Sequence, residues 1–412
     1  MVPIPIEPMI GLEMAILLVI FTLGGASLGV ISGLIPGLHA NNFAMLLVAV
    51  APAIPANPLF VGVAMLAAGV VHSFVDAVPA LAIGVPDADM AVMALPGHRL
   101  VLEGRGREAL RLSALGSILA VILAVPFAVP ITIGMMLIYD QLMAHVTVIL
   151  LAVVLGLILT EPSIRAGLGG LLSFSMAAML GELTLDMNPS APLDAGDMLS
   201  PIFAGLFGAP TLIDASKGAG VPPQHRPTIR STRRLILMTA AAGTVSGAIV
   251  GFLPGISAAI AAVAVLALVP GSGGDRGYVV ATSGVDTSNT IFALFALAAF
   301  GAPRSGIIVA YEELGAPVEL GILVLATVVA GCIGYLVVVS IGDRYLDIIG
   351  ALDYTRLSIV LLAGLAILSF LFAGIAGIAV YLISTMIGLV PLRIGGRRVH
   401  LMGVLIGPIL LG

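Results

Sequence analysis

The chain has 412 residues, of which 60% are hydrophobic and only 9% are charged, and its mean hydropathy is +1.20. Soluble domains carry about 25% charged residues, so this composition excludes a water-soluble globular protein and predicts an all-α polytopic membrane protein. A single cysteine, Cys332, excludes an internal disulfide and a cysteine-based metal cluster.

Hydropathy predicts two halves of about six to seven membrane segments each, because several stretches approach or exceed the roughly 20 apolar residues that span a bilayer. The first half is predicted at residues 1–213 and the second at 234–412, with a basic cytoplasmic linker at 214–233. The predicted segments are 11–32, 40–53, 59–85, 109–135, 141–160, 164–183, 201–213, 234–250, 256–270, 279–301, 317–340, 355–373, 375–391 and 400–411.

A Pro-Gly motif interrupts the first apolar run of each half, and Pro254 follows Pro36 by 218 residues. Proline removes a backbone donor and glycine permits other dihedral angles, so each motif predicts a helix broken inside the membrane. Paired breaks indicate the binding site of a transporter, and helix N-termini suit an anion. Two ordinary proline kinks are the alternative. The predicted substrate-binding residues are Pro36, Gly37, Leu38, His39, Asn41, Asn42, Pro254, Gly255, Ile256, Ser257 and Ala258.

The arginines predict the orientation of each half. The linker and the loops 98–111 and 392–399 are rich in arginine, so the positive-inside rule places them in the cytoplasm. The loop 184–200 has three aspartates and no basic residue, which fits the outside. With an odd number of segments per half, the N-terminus lies outside and the second half starts from the opposite face. The sequence therefore predicts two inverted-topology repeats.

Each half also carries polar residues on a helix that should lie inside the membrane. An ionisable residue at the centre of a membrane helix costs at least about 2.5 kcal/mol and points to function. Interhelical hydrogen bonds that hold the bundle together are the alternative. We predict a cation-coupling cluster formed by His72, Ser73, Asp76, Ser283, Asp286, Thr287, Ser288 and Asn289. A Na⁺ site is predicted at Asp76, Asp286 and Asn289.

The ordered motifs resemble those of the membrane permease subunit (TctA-type) of the tripartite tricarboxylate transporters. They are the GLIPG and GFLPG breaks, the turn Gly84-Val85-Pro86 with its basic loop, and Ser288-Asn289 followed by Gly301-Ala302-Pro303. The resemblance covers most of the chain. It implies a permease that takes up citrate-like polycarboxylates with a cation gradient, a small membrane subunit and an extracytoplasmic solute-binding protein.

Two departures from the family pattern predict a divergent branch, such as an archaeal one, that works without the accessory subunits or carries another substrate. The first break continues Leu38-His39-Ala40-Asn41-Asn42 where family members have a further Gly-rich run. Arg107-Glu108 interrupts the basic loop.

Together these patterns predict a secondary active transporter of the plasma (inner) membrane, not an enzyme. It imports di- or tricarboxylates by alternating access, with Na⁺ or H⁺ as the coupling ion and no other cofactor. One alternative is an intramembrane lipid-directed transferase or hydrolase that uses His72 and Asp76, although the chain lacks an HExxH motif. A passive anion channel is the other. Expected partners are an organic anion, the lipid bilayer, the accessory subunits and a second copy of the chain, with no nucleic acid.

Overall fold

The computed structural model describes residues 11–36, 38, 40–84, 91–193, 198–215, 221–253, 258, 261–262 and 274–411. The regular structure within these ranges is helical, and seven helical stretches there are long and apolar enough to cross a membrane. These findings confirm the predicted all-α polytopic membrane protein. The helices are α1 (Leu12–Gly33), α2 (Ala40–Val50), α3 (Pro58–Val75), α4 (Ala77–Ile83), α5 (Ala91–Leu102), α6 (Gly106–Ala144), α7 (Val146–Leu159), α8 (Ile164–Thr184), α9 (Leu199–Phe203), α10 (Ala209–Ala215), α11 (Arg233–Phe252), α12 (Asp275–Phe300), α13 (Gly306–Glu313), α14 (Leu320–Ala351), α15 (Tyr354–Ile394) and α16 (Gly403–Leu411). A π-helical turn at Ala204–Gly208 joins α9 to α10, and 3₁₀ turns lie at Ala51–Ala53 and Arg398–Met402.

Both predicted breaks interrupt helices. Helix α1 ends at Gly33 and α2 begins at Ala40, so the chain is not helical around Pro36. Helix α11 ends at Phe252, and Leu253 is extended with φ −103° and ψ 127°. The ring of a following proline disfavours the helical conformation of the residue before it, which explains why α11 ends where it does.

Glycines four residues apart let α1 approach α3 closely. A Cβ on Gly25 would lie 2.0 Å from the carbonyl oxygen of Ala64, and one on Gly29 would lie 2.4 Å from that of Ala68. Membrane helices gain little from the hydrophobic effect among lipid tails, so close van der Waals packing over small residues holds them together.

The same arrangement holds α11 against α12. A Cβ on Gly243 would lie 2.4 Å from the carbonyl oxygen of Ala281, and one on Gly247 would lie 2.8 Å from that of Val285. These glycines follow those of α1 by 218 residues, and their partners follow those on α3 by 217 residues. The contacts of the first half therefore recur in the second at the spacing that separates the two breaks.

Helices α3 and α4 run in the opposite direction to α12. At one end, a Cβ on Gly97 would lie 2.0 Å from the side chain of Leu81 near the end of α4 and 3.4 Å from that of Val279 near the start of α12. At the other end, Gly62 near the start of α3 faces Tyr311 of α13, which follows α12. This course agrees with halves of opposite orientation. The inverted repeats and the divisions at 1–213, 214–233 and 234–412 stay predictions.

Each half contributes its long helix to the other half. Gly116 of α6 approaches α12 so closely that a Cβ would lie 2.2 Å from the carbonyl oxygen of Val280. Gly334 of α14 packs on α3, where a Cβ would lie 2.8 Å from the ring of Phe74. The two halves therefore build one common core around α3 and α12.

Helix α15 is a hairpin of two antiparallel arms. Ala373 and Gly374 have non-helical dihedral angles, and the Tyr381 hydroxyl donates to the carbonyl oxygen of Leu362 at 3.4 Å. A straight helix would separate these two residues by about 28 Å. Gly374 has φ +59°, and a Cβ there would lie 2.3 Å from the carbonyl oxygen of Ser190, so glycine is required at this turn. The arms agree with the predicted segments 355–373 and 375–391.

The described part of the linker is fixed against the first half. The Gln224 side chain accepts from the Gly106 amide at 2.7 Å and donates to the carbonyl oxygen of Val101 at 3.0 Å. The His225 amide donates to the carbonyl oxygen of Gly104 at 2.7 Å. These bonds give this segment a defined path over the start of α6.

Candidate functional site

The predicted polar residues of both halves lie on α3 and α12, two helices in contact at the centre of the molecule. His72 is fully buried, Asp76 and Asp286 are each 7% exposed, and Asn289 is 8% exposed. Ionisable groups at this depth of a membrane protein are costly and mark functional positions.

His72 joins α3 to the two helices that flank the first break. Its Nδ1 lies 2.9 Å from the Ser32 hydroxyl near the end of α1, and its ring stacks on Phe43 of α2 with centroids 5.7 Å apart. The Ser32 hydroxyl also donates to the carbonyl oxygen of Gly29 at 3.2 Å. In the second half, Asn289 corresponds to His72, whereas Val250 and Ala261 replace Ser32 and Phe43. The histidine contact is therefore specific to the first break.

Asp76 lies one turn after His72, at the joint between α3 and α4. Its amide donates to the carbonyl oxygen of His72 at 2.9 Å, and its own carbonyl oxygen accepts from Ala80 at 3.2 Å, so the backbone continues almost regularly through it. The neighbouring Ser73 hydroxyl donates to the carbonyl oxygen of Val70 at 2.9 Å. Ser73 therefore bonds within its own helix, whereas the Asp76 side chain is a buried ionisable group at the joint between α3 and α4.

In the second half, two serines have structural contacts. The Ser283 hydroxyl lies 2.8 Å from that of Ser113 on α6, and the Ser117 hydroxyl donates to the Ser283 carbonyl oxygen at 3.1 Å. The Ser288 hydroxyl donates to the carbonyl oxygen of Gly284 at 2.6 Å. Sequence reasoning missed Ser113 and Ser117, although two serines four residues apart in an apolar helix are a recognisable signal for interhelical hydrogen bonding.

Asp286, Thr287 and Asn289 continue the polar surface of α12. Among the described residues, neither the Thr287 hydroxyl nor the amide oxygen of Asn289 has a hydrogen-bond partner, although both are buried. Oxygens left in this way can coordinate a cation such as Na⁺. The convergence of Asp76, Asp286 and Asn289 on one cation stays a prediction.

The predicted substrate residues of the breaks are described only in part. Leu38 is buried beside Phe43, Ala68 and Phe372, and Ala258 is fully buried. Pro36 is half-buried, and Asn41 and Asn42 belong to α2. The positions Gly37, His39, Pro254, Gly255, Ile256 and Ser257 lie outside the described residues, so their part in substrate binding stays a prediction.

A layer of ion pairs joins the two halves at the start of α6. Arg111 forms two hydrogen bonds of 2.8 Å with Asp343 of α14, and Glu108 accepts from Arg276 of α12 at 3.0 Å and from the Arg230 amide at 2.8 Å. Arg111 and Arg230 lie in stretches predicted to be cytoplasmic. Sequence reasoning had used these two only for the orientation of the chain and had not considered Arg276.

A second buried cluster surrounds Glu161, in the turn between α7 and α8. Glu161 Oε1 accepts from His400 at 2.8 Å, from the Arg397 side chain at 3.0 Å and from the Arg397 amide at 3.1 Å. Burial opposes ionisation of Glu161, but these hydrogen bonds and the positive charge of Arg397 outweigh it and hold its pKa below the ordinary value. The carboxylate therefore anchors the turn that precedes α16.

No group of three histidine, cysteine, aspartate or glutamate side chains able to hold a metal ion occurs in the part of the chain that the structure describes. The predicted Na⁺ site, with two carboxylates and one amide, is not a group of this kind.

Comparison with known proteins gives the family. Residues 19–403 match the model of the tripartite tricarboxylate transporter TctA family. A Methanocaldococcus jannaschii protein, "Uncharacterized protein MJ1079", is 27% identical over 398 residues, which are 94% of this chain and 96% of that protein. This archaeal similarity supports the divergent branch expected from the motifs. No solved structure matches the chain. Because the family match covers far more than half of the sequence, this chain belongs to the tripartite tricarboxylate transporter TctA family.

Proposed function

We propose that this chain is the permease of a secondary active transporter that imports di- and tricarboxylates across the plasma membrane by alternating access. As a TctA family member it is a multi-pass membrane component of a tripartite tricarboxylate transporter. The observation that carries the proposal is the burial of two carboxylates, Asp76 and Asp286, on two central helices that each follow a helix break.

Substrate carboxylates would bind at the restarting helices that follow the two breaks. The first turn of a helix offers unpaired N–H groups and the positive end of its dipole, which favour anions. His72 supports this assignment, because it contacts both Ser32 before the first break and Phe43 after it. A change in substrate binding at the break would therefore reach α3 directly.

The coupling cation would bind to Asp76, Asp286 and Asn289. Carboxylate and amide oxygens suit Na⁺, and a carboxylate alone suits a proton, so either ion fits this set. Binding of the cation would lower the cost of burying the carboxylates and so favour the state that also accepts the anion.

Alternating access is supported by the presence of two packed cores. One surrounds α3, α6, α12 and α14, and the other surrounds α8, the second arm of α15 and α16. Phe252 belongs to the first core, whereas Leu253 and Ala258 belong to the second. The second break thus lies where one core would rotate against the other. The family implies partner subunits, and we propose an extracytoplasmic solute-binding protein and a small membrane subunit.

Uptake into proteoliposomes tests the proposal. Labelled citrate and other carboxylates are supplied with an inward Na⁺ gradient, an inward H⁺ gradient or neither, and we expect saturable uptake that requires one gradient. Replacing Asp76 or Asp286 by Asn should lower gradient-driven uptake about tenfold or more, as expected when a ligand worth about 1.4 kcal/mol is lost.

The matched control is Asp140→Asn, which changes an exposed carboxylate of α6 and should leave uptake unchanged. Uptake that is equally fast without a gradient would contradict coupling and indicate a channel. Coupled uptake that is unchanged in both Asn variants would contradict the assignment of the two carboxylates. The absence of uptake of every carboxylate would contradict transport by this chain alone and indicate dependence on the accessory subunits.

A further inference from the structure

One buried arginine has no carboxylate partner among the described residues, although its neighbours do. Arg398, at the start of the 3₁₀ turn before α16, is only 5% exposed. Its Nη1 donates to the Thr211 hydroxyl of α10 at 2.5 Å, and its Nε has no hydrogen-bond partner among the described residues. Asp214 attracts it electrostatically, but no ion pair joins the two side chains. Among the described residues, this buried positive charge therefore has no carboxylate in contact.

Three other arginines at this end of the molecule each form an ion pair with a carboxylate. Arg111 pairs with Asp343, Arg276 with Glu108, and Arg397 with Glu161. All three are more exposed than Arg398 and therefore need a partner less than it does, but each has a carboxylate partner. Burying an unpaired charge costs several kcal/mol even after relaxation. A buried guanidinium without a paired carboxylate is suited to bind an anion reversibly.

The position of Arg398 relates it to the central polar cluster. The methyl group of its partner Thr211 faces Gly84, where a Cβ would lie 3.2 Å away. Gly84 has φ +74° and ends α4, the continuation of the helix that carries His72 and Asp76. Eight residues separate Asp76 from Gly84, about 12 Å along a helix. Arg398 thus lies beyond the polar cluster, toward the end of the bundle where the arginines predict the cytoplasm.

The turn that carries Arg398 is held firmly on both sides. Arg397 and His400 bond to Glu161, and Arg398 bonds to Thr211. The guanidinium is therefore oriented before any ligand arrives, which reduces the entropy lost on binding. A planar guanidinium matches the two oxygens of a carboxylate with parallel hydrogen bonds.

We propose that Arg398 binds a substrate carboxylate at an inner site, between the central polar cluster and the cytoplasm. The site would receive the anion after the helix termini at the two breaks release it and before it leaves the protein. The inference rests on the proposed function for the identity of the anion.

Anion binding to the purified full chain in detergent tests the proposal, with citrate and inorganic sulfate as probes. Citrate binding is measured by calorimetric titration, and thermal unfolding is followed by circular dichroism with and without each anion. We expect citrate to bind at least tenfold more weakly to Arg398→Gln than to the wild type. We also expect the anions to raise the melting temperature of the wild type but not that of the variant.

Unfolding without anions separates this role from a structural one. Arg398→Gln removes an unpaired buried charge, so it should melt at the wild-type temperature or above. The matched control Arg397→Gln breaks the pairing with Glu161 and should melt lower. Arg398→Lys keeps the charge but loses the planar fork, so it should fold and bind citrate weakly.

Three outcomes would overturn the proposal: no binding of citrate or sulfate by the wild type, equal citrate binding by Arg398→Gln, or a loss of stability in Arg398→Gln as large as in Arg397→Gln. Failure of the proposed function is a different result. In that case the wild type binds citrate through Arg398 but does not carry it in the proteoliposome uptake experiment.

Discussion

At the scale of single residues, burial and bonding separate polar side chains that the sequence presents alike. Ser73 and Ser288 bond within their own helices, and Ser283 bonds to Ser113 of α6, so all three have structural partners. His72 instead contacts both sides of the first break. Residue type and spacing identified the whole group, but only the partners of each side chain distinguish bundle contacts from candidate ligands.

Glu161 gives a pH-dependent prediction at this scale. Its pKa is lower in the folded chain than in the unfolded one, so its stabilising contribution is complete above the unfolded pKa of about 4.3 and is lost as the pH falls through the folded pKa. We expect Glu161→Gln to lower the free energy of unfolding by about 3 kcal/mol at pH 7, because the buried His400 and the partly exposed Arg397 lose their charged partner.

Thermal melting of wild type and Glu161→Gln in detergent between pH 3 and 8 measures this effect. The difference between the two melting temperatures should be largest above pH 5 and should shrink toward pH 3. Glu313→Gln, which changes an exposed carboxylate, is the control and should follow the wild type throughout. A difference for Glu161→Gln that does not change with pH would contradict the assigned ionisation.

At the scale of elements, the glycines of α1 and α11 allow close helix packing at the candidate site. They let α1 approach α3 and let α11 approach α12, the two helices that carry the polar residues. Gly25 and Gly29 meet carbonyl oxygens of α3, and Gly243 and Gly247 meet those of α12. Sequence reasoning counted these residues as part of apolar runs. Their contacts involve backbone atoms of another helix, so hydropathy alone does not indicate which glycines are indispensable.

Gly29→Ala tests this packing. Its Cβ would lie 2.4 Å from the Ala68 carbonyl oxygen, so α1 and α3 must separate, at a cost of about 1–3 kcal/mol or more. Gly24→Ala is the matched control, because nothing lies within 4 Å of a Cβ there and alanine favours the helix. Melting temperatures in detergent should fall for Gly29→Ala and stay level or rise for Gly24→Ala. Equal melting of the two variants would contradict close packing at Gly29.

At the scale of the whole molecule, the halves are interlocked. Helix α6 of the first half packs on α12, helix α14 of the second packs on α3, and Arg111–Asp343 joins the two long helices. Neither polar helix is covered by its own half alone. The cation residues predicted in each half therefore lie in one common core.

Cysteine labelling tests the orientation of the chain. In a Cys332→Ser background, single cysteines replace Ser190, Glu313 or Arg226, all of which are exposed. A membrane-impermeant maleimide added to intact cells should label the cysteines at 190 and 313, because the acidic loop and the end of α13 are predicted to lie outside. The cysteine at 226 should react only after permeabilisation, since the linker is predicted to lie inside. Labelling of all three from the same side would contradict the inverted arrangement.

The sequence by itself determined the class of the protein, the breaks at Pro36 and Pro254, the two arms of α15 and the family. Hydropathy, proline and glycine act on the chain within a few residues, so these features can be read from local patterns. The polar residues on α3 and α12 can also be recognised from local sequence, because ionisable residues such as Asp76 and Asp286 are improbable in a membrane helix without a function.

Only the tertiary structure decided which side chains meet. Glu161 bonds to Arg397 and His400, which lie more than 230 residues away in the sequence, and Ser113 bonds to Ser283 at a separation of 170 residues. Pairing of charges depends on how helices cross, which no local pattern encodes. Arg398 shows the consequence most clearly, because its neighbour in sequence has a carboxylate partner and Arg398 itself has none in the part of the chain that the structure describes. The geometry of the fold thus distinguishes two adjacent arginines that the sequence presents as equivalent.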